Sequence, residues 1–336
     1  MKIAIHKEGG FNDGWKAYLE SKKIPYKIVN AYDTSIVEQV ADCDIFMWHH
    51  HHGDYRDTLF AKQLLFSLEC SGKKEYPDFK TGWHFDDKLG QKYLFEAIGA
   101  PLVPSYAFYT KEDALKWISQ ATFPKVFKLR GGAGASNVKL AHTAKEAKRF
   151  VKKAFGRGFA QYDRLGGLKD RFNKWRQGND SFVGVLKAFA RCFVSTEFGR
   201  MRAPEKGYVY FQDFIPNNNT DTRIIVVGNK ILGKRRAVRK GDFRASGSGI
   251  LLHDAANIDV RCVKIAHEVS NKLGLQDGVF DFVHDENGNP LIVEISYGTN
   301  ANQSKCEGYW DENYTFHKCT IDLPAMIIEN VIKEMR

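Results

Sequence analysis

The first 85 residues alternate short apolar runs with amphipathic segments, and this alternation limits the possible folds more than any other feature of the chain. The pattern predicts strands at residues 2–6, 26–30 and 44–48, with helices at residues 13–22 and 35–40 between them. Strands that alternate with helices form a parallel sheet covered by those helices. We therefore predict a small α/β unit whose ligand-binding loops lie at the carboxyl ends of the strands.

Four consecutive histidines at residues 49–52 directly follow the third predicted strand. The run is internal and follows a core-like strand, so we treat it as native. Neighbouring side chains point in different directions, which favours a polar or substrate-lining loop over a metal site. Both interpretations stay open at this point.

The composition predicts a folded protein without a membrane span. The chain has 336 residues, of which 43% are hydrophobic and 27% are charged. No apolar run approaches the roughly 20 residues that cross a bilayer. The six cysteines form no Cys-x-x-Cys pair, and the N-terminus resembles a strand rather than a secretion signal. We expect a cytoplasmic protein with reduced thiols.

The positive charge is concentrated in one segment. Residues 145–206 contain 16 Lys and Arg against 6 Asp and Glu, an excess equal to the net charge of +10 for the whole chain. Such a segment favours an anionic partner, such as nucleic acid, an acidic polymer, a phosphorylated carrier or anionic lipid head groups, or it forms a solvated helix surface. Nucleic acid is the less favoured partner because no known nucleic-acid-binding module is recognisable.

A glycine-rich segment at residues 130–138 lies between two predicted strands. No helix follows it directly and no Gly-Lys-Ser/Thr sequence ends it, which disfavours a P-loop and a dinucleotide fingerprint. Lys128 precedes the loop and can place its ammonium beside phosphates that the loop backbone approaches closely. A lysine that reaches solvent along an apolar surface is the ordinary alternative.

Gly228-Asn229 predicts a two-residue hairpin turn between strands at residues 221–227 and 230–236. Two carboxylates lie in the apolar strands of the last predicted hairpin, whose turn spans residues 285–289. Asp281 and Glu294 would be costly to bury without cationic partners. Facing carboxylate oxygens suit Mg²⁺ with nucleotide phosphates completing its shell, and salt bridges to arginines explain them equally well.

Taken in chain order, these segments resemble the ATP-grasp superfamily, most closely the branch of ribosomal-protein glutamate ligases and glutathione synthetases. The resemblance extends over roughly residues 86–296 and rests on the order of its motifs. These are Asp87-Lys88, residues 123–128 with the glycine-rich loop, residues 211–216, Asp221-Thr222-Arg223, Gly241-Asp242-Phe243-Arg244, and Asp281 followed by Glu294-Ile295-Ser296.

The resemblance implies an ATP-grasp fold of α/β and α+β character. It places an N-terminal Rossmann-like domain at residues 1–85 and a lid subdomain at residues 86–207, with a basic, aromatic-rich insertion at 144–207. A C-terminal subdomain with the metal site would occupy residues 208–336.

The resemblance also implies roles for individual residues. Arg236 and Arg244 would be catalytic, holding the γ-phosphate, and Asp281 and Glu294 would bind Mg²⁺, with Mn²⁺ as an alternative ion. Ser296 stands where the family usually has an asparagine ligand, and a water or Asn300 could replace that ligand. The residues that would bind ATP are Lys88, Lys128, Gly131, Gly132, Gly134, Ala135, Ser136, Gln212, Asp213, Phe214, Ile215, Asp221, Arg223 and Ser246.

The activity implied is that of an ATP-dependent carboxylate–amine ligase that forms an amide through an acylphosphate and releases ADP and phosphate. The aromatic and basic insertion favours a large anionic acceptor, such as a uronate-containing glycan or an acidic peptide, joined to an amino acid or amine. The same aromatic residues could instead form the core of an inserted helical layer. A noncatalytic ATP-binding protein and an ATP-grasp phosphotransferase are the alternatives, and homo-oligomers are common among relatives.

Overall fold

A computed structural model describes most of the chain. The described residues are 1–132, 137–160, 167–168, 171–172, 175–176, 181–193, 197–238, 244–245, 250–252, 254–297 and 306–335.

The N-terminal unit is a parallel sheet with strand order β2-β1-β3-β4, which confirms the predicted α/β pattern. Its elements are β1 Ile3–His6, α1 Asn12–Ser21, β2 Tyr26–Val29, α2 Ile36–Gln39, β3 Ile45–Met47, α3 Tyr55–Cys70, β4 Lys74–Tyr76 and α4 Phe79–Gly82. The sequence pattern missed α3, because Leu59 and Phe66 lie on its exposed face while Leu64 and Leu65 are buried. Apolar residues on both faces weaken the helical period.

The second unit contains an antiparallel sheet with strand order β5-β8-β6-β7 among the described residues. Its elements are α5 Lys88–Ile98, β5 Ser105–Phe108, α6 Lys111–Ile118, β6 Lys125–Lys128, β7 Lys139–Ala141, α7 Ala144–Ala154, α8 Phe182–Phe193, α9 Glu197–Met201 and β8 Val209–Asp213. Side chains at the N-caps of α5, α6 and α7 accept backbone hydrogen bonds, as expected for Asp87, Thr110 and Thr143. Helical spacing in the sequence predicts a further helix over residues 168–176, and this segment lies partly outside the described residues.

The C-terminal unit contains a sheet with strand order β13-β12-β9-β10-β14-β15, and β11 pairs with β10. Its elements are β9 Thr220–Val227, β10 Lys230–Ala237, β11 Leu251–Leu252, α10 Val260–Leu273, β12 Asp277–His284, β13 Pro290–Ser296, β14 Gly308–Trp310, β15 Phe316–Lys318 and α11 Leu323–Lys333. The two predicted hairpins, β9–β10 and β12–β13, are confirmed by their antiparallel registers.

The N-terminal unit and the C-terminal sheet share a hydrophobic core. Ile3 of β1 and Trp15 of α1 belong to the same buried cluster as Ile225 of β9 and Ile328 of α11. A continuous apolar core of this kind fixes the carboxyl ends of the N-terminal strands beside the C-terminal sheet. No helix within the described ranges has both the length and the apolar character that a bilayer crossing requires.

Candidate functional site

A cleft of about 400 Å³ lies between the β5-β8-β6-β7 sheet and the C-terminal sheet. Each sheet contributes charged side chains to it, and the loop after β8 closes one end. The sequence-predicted residues that line it are Lys88, Lys128, Gly132, Gln212, Asp213, Phe214, Ile215, Asp221, Arg236, Arg244, Asp281 and Glu294. Residues separated by up to 206 positions in the chain therefore meet at one site.

Lys128 of β6 is a buried cation in the cleft wall that the β5-β8-β6-β7 sheet forms, which we call the lid wall. Its Nζ donates to Gln212 Oε1 at 2.6 Å, and Gln212 Nε2 donates to Ser105 Oγ at 3.1 Å. Burial lowers the pKa of Lys128 to about 8, while the nearby charge of Glu294 acts in the opposite direction. The register of β6 against β8 places Val126 opposite Gln212, so strand pairing fixes the position of this hydrogen-bonded chain.

Asp86 and Lys88 support the start of the glycine-rich loop. The Gly132 N–H donates to Asp86 Oδ1 at 2.6 Å, and Lys88 Nζ donates to the Gly132 carbonyl at 2.8 Å. A Cβ atom on Gly131 would lie 2.9 Å from Asp86 Oδ2, which explains a glycine at this position. The Gly132 N–H therefore binds Asp86, whereas the sequence predicted that N–H groups of this loop approach phosphate. Gly134, Ala135, Ser136 and Ser246 lie outside the described residues.

Two arginines and two aspartates form an ion-paired quartet on three adjacent strands. Arg223 of β9 binds Asp281 of β12 through two hydrogen bonds of 2.7 and 2.8 Å. Arg236 of β10 donates to Asp281 Oδ2 at 2.7 Å and to Asp221 Oδ1 at 2.8 Å. The strand registers pair Asp281 with Arg223 and Asp221 with Arg236. The salt-bridge interpretation of Asp281 thus describes its contacts in this structure.

The quartet sets the ionisation of its carboxylates. Burial opposes ionisation of Asp281, but the Arg223 and Arg236 guanidiniums hold its pKa well below the usual range. Burial raises the pKa of Asp221 to about 6, with Arg236 acting in the opposite direction. Asp281 is therefore the carboxylate held firmly in its charged form.

Glu294 faces Asp281 across the β12–β13 hairpin. Its side chain is 33% exposed and lies 3.9 Å from Lys88 Nζ. Ser296, two residues further along β13, donates its hydroxyl to the Tyr297 carbonyl at 3.1 Å and is not among the residues that line the cleft. The position predicted to supply a third metal ligand therefore faces another partner.

The donor set fits a hard divalent cation. A carboxylate offers about four lone-pair positions, and the three hydrogen bonds described for Asp281 leave one of them. Glu294 contributes a partly exposed carboxylate on the facing strand. Carboxylate oxygens completed by phosphate oxygens and water are the coordination that Mg²⁺ prefers.

Valines form much of the remaining cleft wall, and the sequence analysis did not select them. Val103, Val126, Val283 and Val293 line it together with Phe214 and Ile215. The Asp213 N–H donates to the Pro104 carbonyl at 2.9 Å, and the Asp213 side chain pairs with Lys125. Single valines in strands carry no signal that separates a cleft wall from a core.

Asp86 and Ser105 are further residues that sequence reasoning missed. Asp86 has a left-handed backbone with φ of 54° and accepts the Gly132 N–H, while Ser105 holds Gln212. Arg223 and Gly131 are not among the residues that line the cleft. Arg223 binds Asp281, and Gly131 lies close to the Asp86 side chain.

The histidine run packs at the junction of the N-terminal and C-terminal units. The His50 ring lies 4.9 Å from the Tyr297 ring and 5.4 Å from the Phe85 ring, and the Tyr297 hydroxyl donates to the His50 carbonyl. Burial lowers the pKa of His49 to about 3 and that of His52 to about 4, so both rings are neutral. The interpretation as an ordinary loop agrees with these contacts.

This combination of two sheets enclosing a cleft, joined to an N-terminal parallel α/β unit, defines the ATP-grasp fold. Residues 200–309 match the family model of the RimK-like ATP-grasp domain. The chain thus has the ATP-grasp fold, and residues 200–309 are similar to the RimK-like ATP-grasp domain, which confirms the resemblance and the fold class predicted from its motifs. No curated protein sequence matches the chain.

Several solved structures are similar to the chain over nearly its whole length. A RimK domain ATP-grasp protein from Sphaerobacter thermophilus is 13% identical, with 99% of this chain and 100% of that chain covered and a TM-score of 0.58. The D-cycloserine synthetase DcsG is 11% identical, with 100% of both chains covered and a TM-score of 0.61. The ATP-grasp ligase PsnB, complexed with precursor peptide PsnA2 and AMPPNP, is 12% identical, with 99% and 97% covered and a TM-score of 0.55.

Proposed function

We propose that this protein is an ATP-dependent carboxylate–amine ligase that works through an acylphosphate. The observation that carries the proposal is the placement of Lys88, Lys128 and Arg236 in one cleft with Asp281 and Glu294. Cations that face a carboxylate pair in a partly apolar cleft are what a nucleotide triphosphate and its metal ion require.

The two reactants of the first step are both anions, so the site must lower their repulsion. Lys88 and Lys128 would contact the ATP phosphates, and Arg236 and Arg244 would stabilise charge on the γ-phosphate during transfer. Asp281 and Glu294 would hold Mg²⁺, which neutralises phosphate charge and orients the phosphate oxygens. Arg236 donates to both Asp281 and Asp221, so the metal side and the phosphate side of the site would be positioned together.

The proposed reaction proceeds in two steps, and neither step needs a nucleophilic side chain. An oxygen of the substrate carboxylate attacks the γ-phosphorus, the bond to the β-phosphate oxygen breaks, and ADP leaves. The amine nitrogen then attacks the acylphosphate carbonyl carbon, inorganic phosphate leaves with the bonding electron pair, and the nitrogen loses a proton. Exclusion of water during these steps protects the acylphosphate from hydrolysis.

The acceptor we propose is a large carboxylate, either a uronate-containing glycan or an acidic peptide. The excess of ten positive charges in residues 145–206 supports an anionic acceptor. PsnB is complexed with a precursor peptide, and this supports the peptide alternative. The amine would come from an amino acid or a similar small molecule.

Phosphorus NMR of Mg-ATP incubated with pooled amino acids and acidic glycans or peptides tests this proposal. We expect ADP and phosphate to form only when both pools are present. Glu294→Gln should abolish their formation, while Glu286→Gln, an exposed glutamate in the turn of the same hairpin, should leave it unchanged. Formation that persists in Glu294→Gln would remove the metal-binding role from the proposal.

The alternatives give different spectra. ATP that binds and stays intact with every acceptor would indicate a noncatalytic nucleotide-binding protein. The hydrogen bond from Ser296 to the Tyr297 carbonyl, in place of a metal-facing asparagine, favours this alternative. A phosphorylated product that accumulates without amide formation would indicate a phosphotransferase.

A further inference from the structure

Among the described residues of the insertion between α7 and β8, seven large apolar side chains are exposed. Their exposed fractions lie between 38% and 59%. We call them the insertion face, and they are Phe172, Trp175, Phe182, Val183, Leu186, Phe189 and Met201. This face is separate from the cleft, because none of these residues lines the cleft.

Helix α8 shows that the exposure follows the helical period. Val185 and Ala188 are 8% and 3% exposed and pack inward, while Phe182, Leu186 and Phe189 lie at i, i+4 and i+7 on the opposite side. A helix that is apolar on both sides is normally buried on both sides. The outward side of α8 therefore has the composition of a contact surface.

Three of the exposed aromatic side chains form one continuous group. The Phe172 and Trp175 rings are 5.6 Å apart, and the Trp175 and Phe182 rings are 5.5 Å apart. Tryptophan and phenylalanine are the side chains that enter the boundary between lipid head groups and acyl chains. Exposed apolar side chains that contact one another mark an interaction site, whereas single ones scattered over a surface are normal.

Basic side chains accompany this apolar group. Arg176 follows Trp175 directly, Lys187 follows Leu186, and both are exposed, as is Arg200 near Met201. Glu197 is the exposed acidic side chain at the start of α9. Residues 145–206 together carry 16 basic and 6 acidic residues, so the segment that carries the face has a positive net charge.

We propose that the insertion face docks peripherally on an anionic lipid bilayer. The apolar side chains would enter the head-group boundary, and the surrounding Lys and Arg would attract the negative surface. A second copy of the chain is disfavoured as occupant because two faces with the same positive excess repel each other. Nucleic acid is disfavoured because backbone phosphates require cations rather than exposed aliphatic side chains.

The base of the insertion connects this face to the cleft. Phe159 and Glu205 exchange two backbone hydrogen bonds of 2.8 Å, and the Tyr208 hydroxyl donates to Glu205 Oε2 at 2.9 Å. That hydroxyl also accepts from the Arg130 N–H at 2.6 Å, beside the glycine-rich loop. Docking would keep the cleft near the bilayer surface. The docking itself does not depend on the proposed ligase activity.

Flotation of the full-length protein with lipid vesicles tests the proposal. We expect the protein to float with vesicles of phosphatidylcholine mixed with phosphatidylglycerol and to remain unbound with phosphatidylcholine alone. Phe182→Ser/Leu186→Ser should weaken binding about tenfold or more, because two apolar side chains leave the boundary. Arg176→Glu/Lys187→Glu should weaken it by about fivefold or more per charge.

The matched control is Val37→Ser/Leu59→Ser, which removes two exposed apolar side chains from the N-terminal unit and should leave binding unchanged. Phe182→Leu/Leu186→Phe keeps the apolar character and should also bind normally. Melting temperature and Mg-ATP affinity measured for every variant separate local effects from unfolding.

Three results would overturn the proposal. One is the absence of flotation with anionic vesicles. Another is flotation that high salt abolishes and the serine variant leaves unchanged, which would show a purely electrostatic contact. The third is a concentration-dependent dimer in light scattering that the serine variant dissolves, which would assign the face to a second copy of the chain.

Discussion

The two walls of the cleft hold their charges in different ways. On the C-terminal wall, Asp281 and Asp221 are matched by Arg223 and Arg236 in an ion-paired quartet. On the lid wall, Lys128 is held by the neutral amide of Gln212, and no ion pair is described for it. The paired Asp281 keeps its charge over a wide pH range, whereas the pKa of the buried Lys128, which a neutral amide holds, is lowered to about 8.

This difference assigns separate tasks to the two walls. Asp281 stays ionised because its guanidinium partners hold its pKa low. Lys128 has a pKa lowered to about 8 by burial, so its charge responds to an arriving anion. We therefore expect the charges of the C-terminal wall to stay fixed, whereas phosphate binding would favour the protonated form of Lys128 in the lid wall.

The largest expected effect comes from breaking the quartet. Arg236→Met leaves Asp281 and Asp221 without a shared buried partner, and we expect a loss of about 3–5 kcal/mol in the free energy of unfolding. Urea unfolding monitored by tryptophan fluorescence measures it. Arg235→Met, whose partner Asp254 is partly exposed, is the matched control and should cost about 1 kcal/mol or less. Equal losses in the two variants would show that the quartet stabilises the protein no more than the partly exposed Arg235–Asp254 pair does.

The next prediction separates the two facing carboxylates. Glu294→Gln should lower ATP turnover about 100-fold or more while unfolding free energy changes by about 0.5 kcal/mol or less. Asp281→Asn should lose both turnover and stability, because it leaves Arg223 and Arg236 with an uncharged partner. Turnover assays and urea unfolding on the same preparations check this. A stable Asp281→Asn would contradict the stabilising role of the quartet.

The pH dependence of Mg-ATP affinity tests the predicted role of Lys128 in the lid wall. Protonated Lys128 favours phosphate, so Mg-ATP affinity should fall as pH rises above about 8, by up to about tenfold per pH unit. Calorimetry on the wild type and Lys128→Gln measures the slope, which the variant should lose. Lys234 is also buried with a pKa lowered to about 8, so a slope that persists in Lys128→Gln would assign the effect to Lys234.

The lowered pKa of Lys128 also predicts how the free energy of unfolding changes with pH. The pKa of Lys128 in the folded protein, about 8, lies below the ordinary lysine value of 10.5, so the unfolded chain binds more protons between these values. The free energy of unfolding contributed by Lys128 therefore rises with pH across that window. Lys128→Met should remove this rise, and a wild-type slope of opposite sign would contradict the buried, partly neutral lysine.

The smallest expected effect concerns Ser296. Ser296→Asn restores the amide that the family usually has, and we expect the Mg²⁺ concentration needed for half-maximal ATP binding to fall a few-fold. Ser296→Ala should leave it unchanged, because the native hydroxyl donates to the Tyr297 carbonyl. A strong loss of Mg²⁺ affinity in Ser296→Ala would show that the serine does contribute a ligand.

The sequence was most informative where residues close together in the chain predict a structure directly, as turn residues predict a hairpin. The turn at Gly228 and Asn229 predicted the β9–β10 hairpin, and the turn at residues 285–289 predicted the hairpin that places Asp281 opposite Glu294. It was least informative for α3, for the valine wall of the cleft and for Asp86, because these features depend on neighbours distant in the chain.

The alternating N-terminal pattern, the hairpins, the order of charged motifs and the basic insertion can all be predicted from the sequence, because each depends on local periodicity, turn chemistry or composition. The partner of each charge depends on the fold. Arg223 and Arg236 lie 58 and 45 positions from Asp281, and Lys128 lies 84 positions from Gln212. Strand registers created those contacts, and burial then set the pKa values that distinguish the two walls.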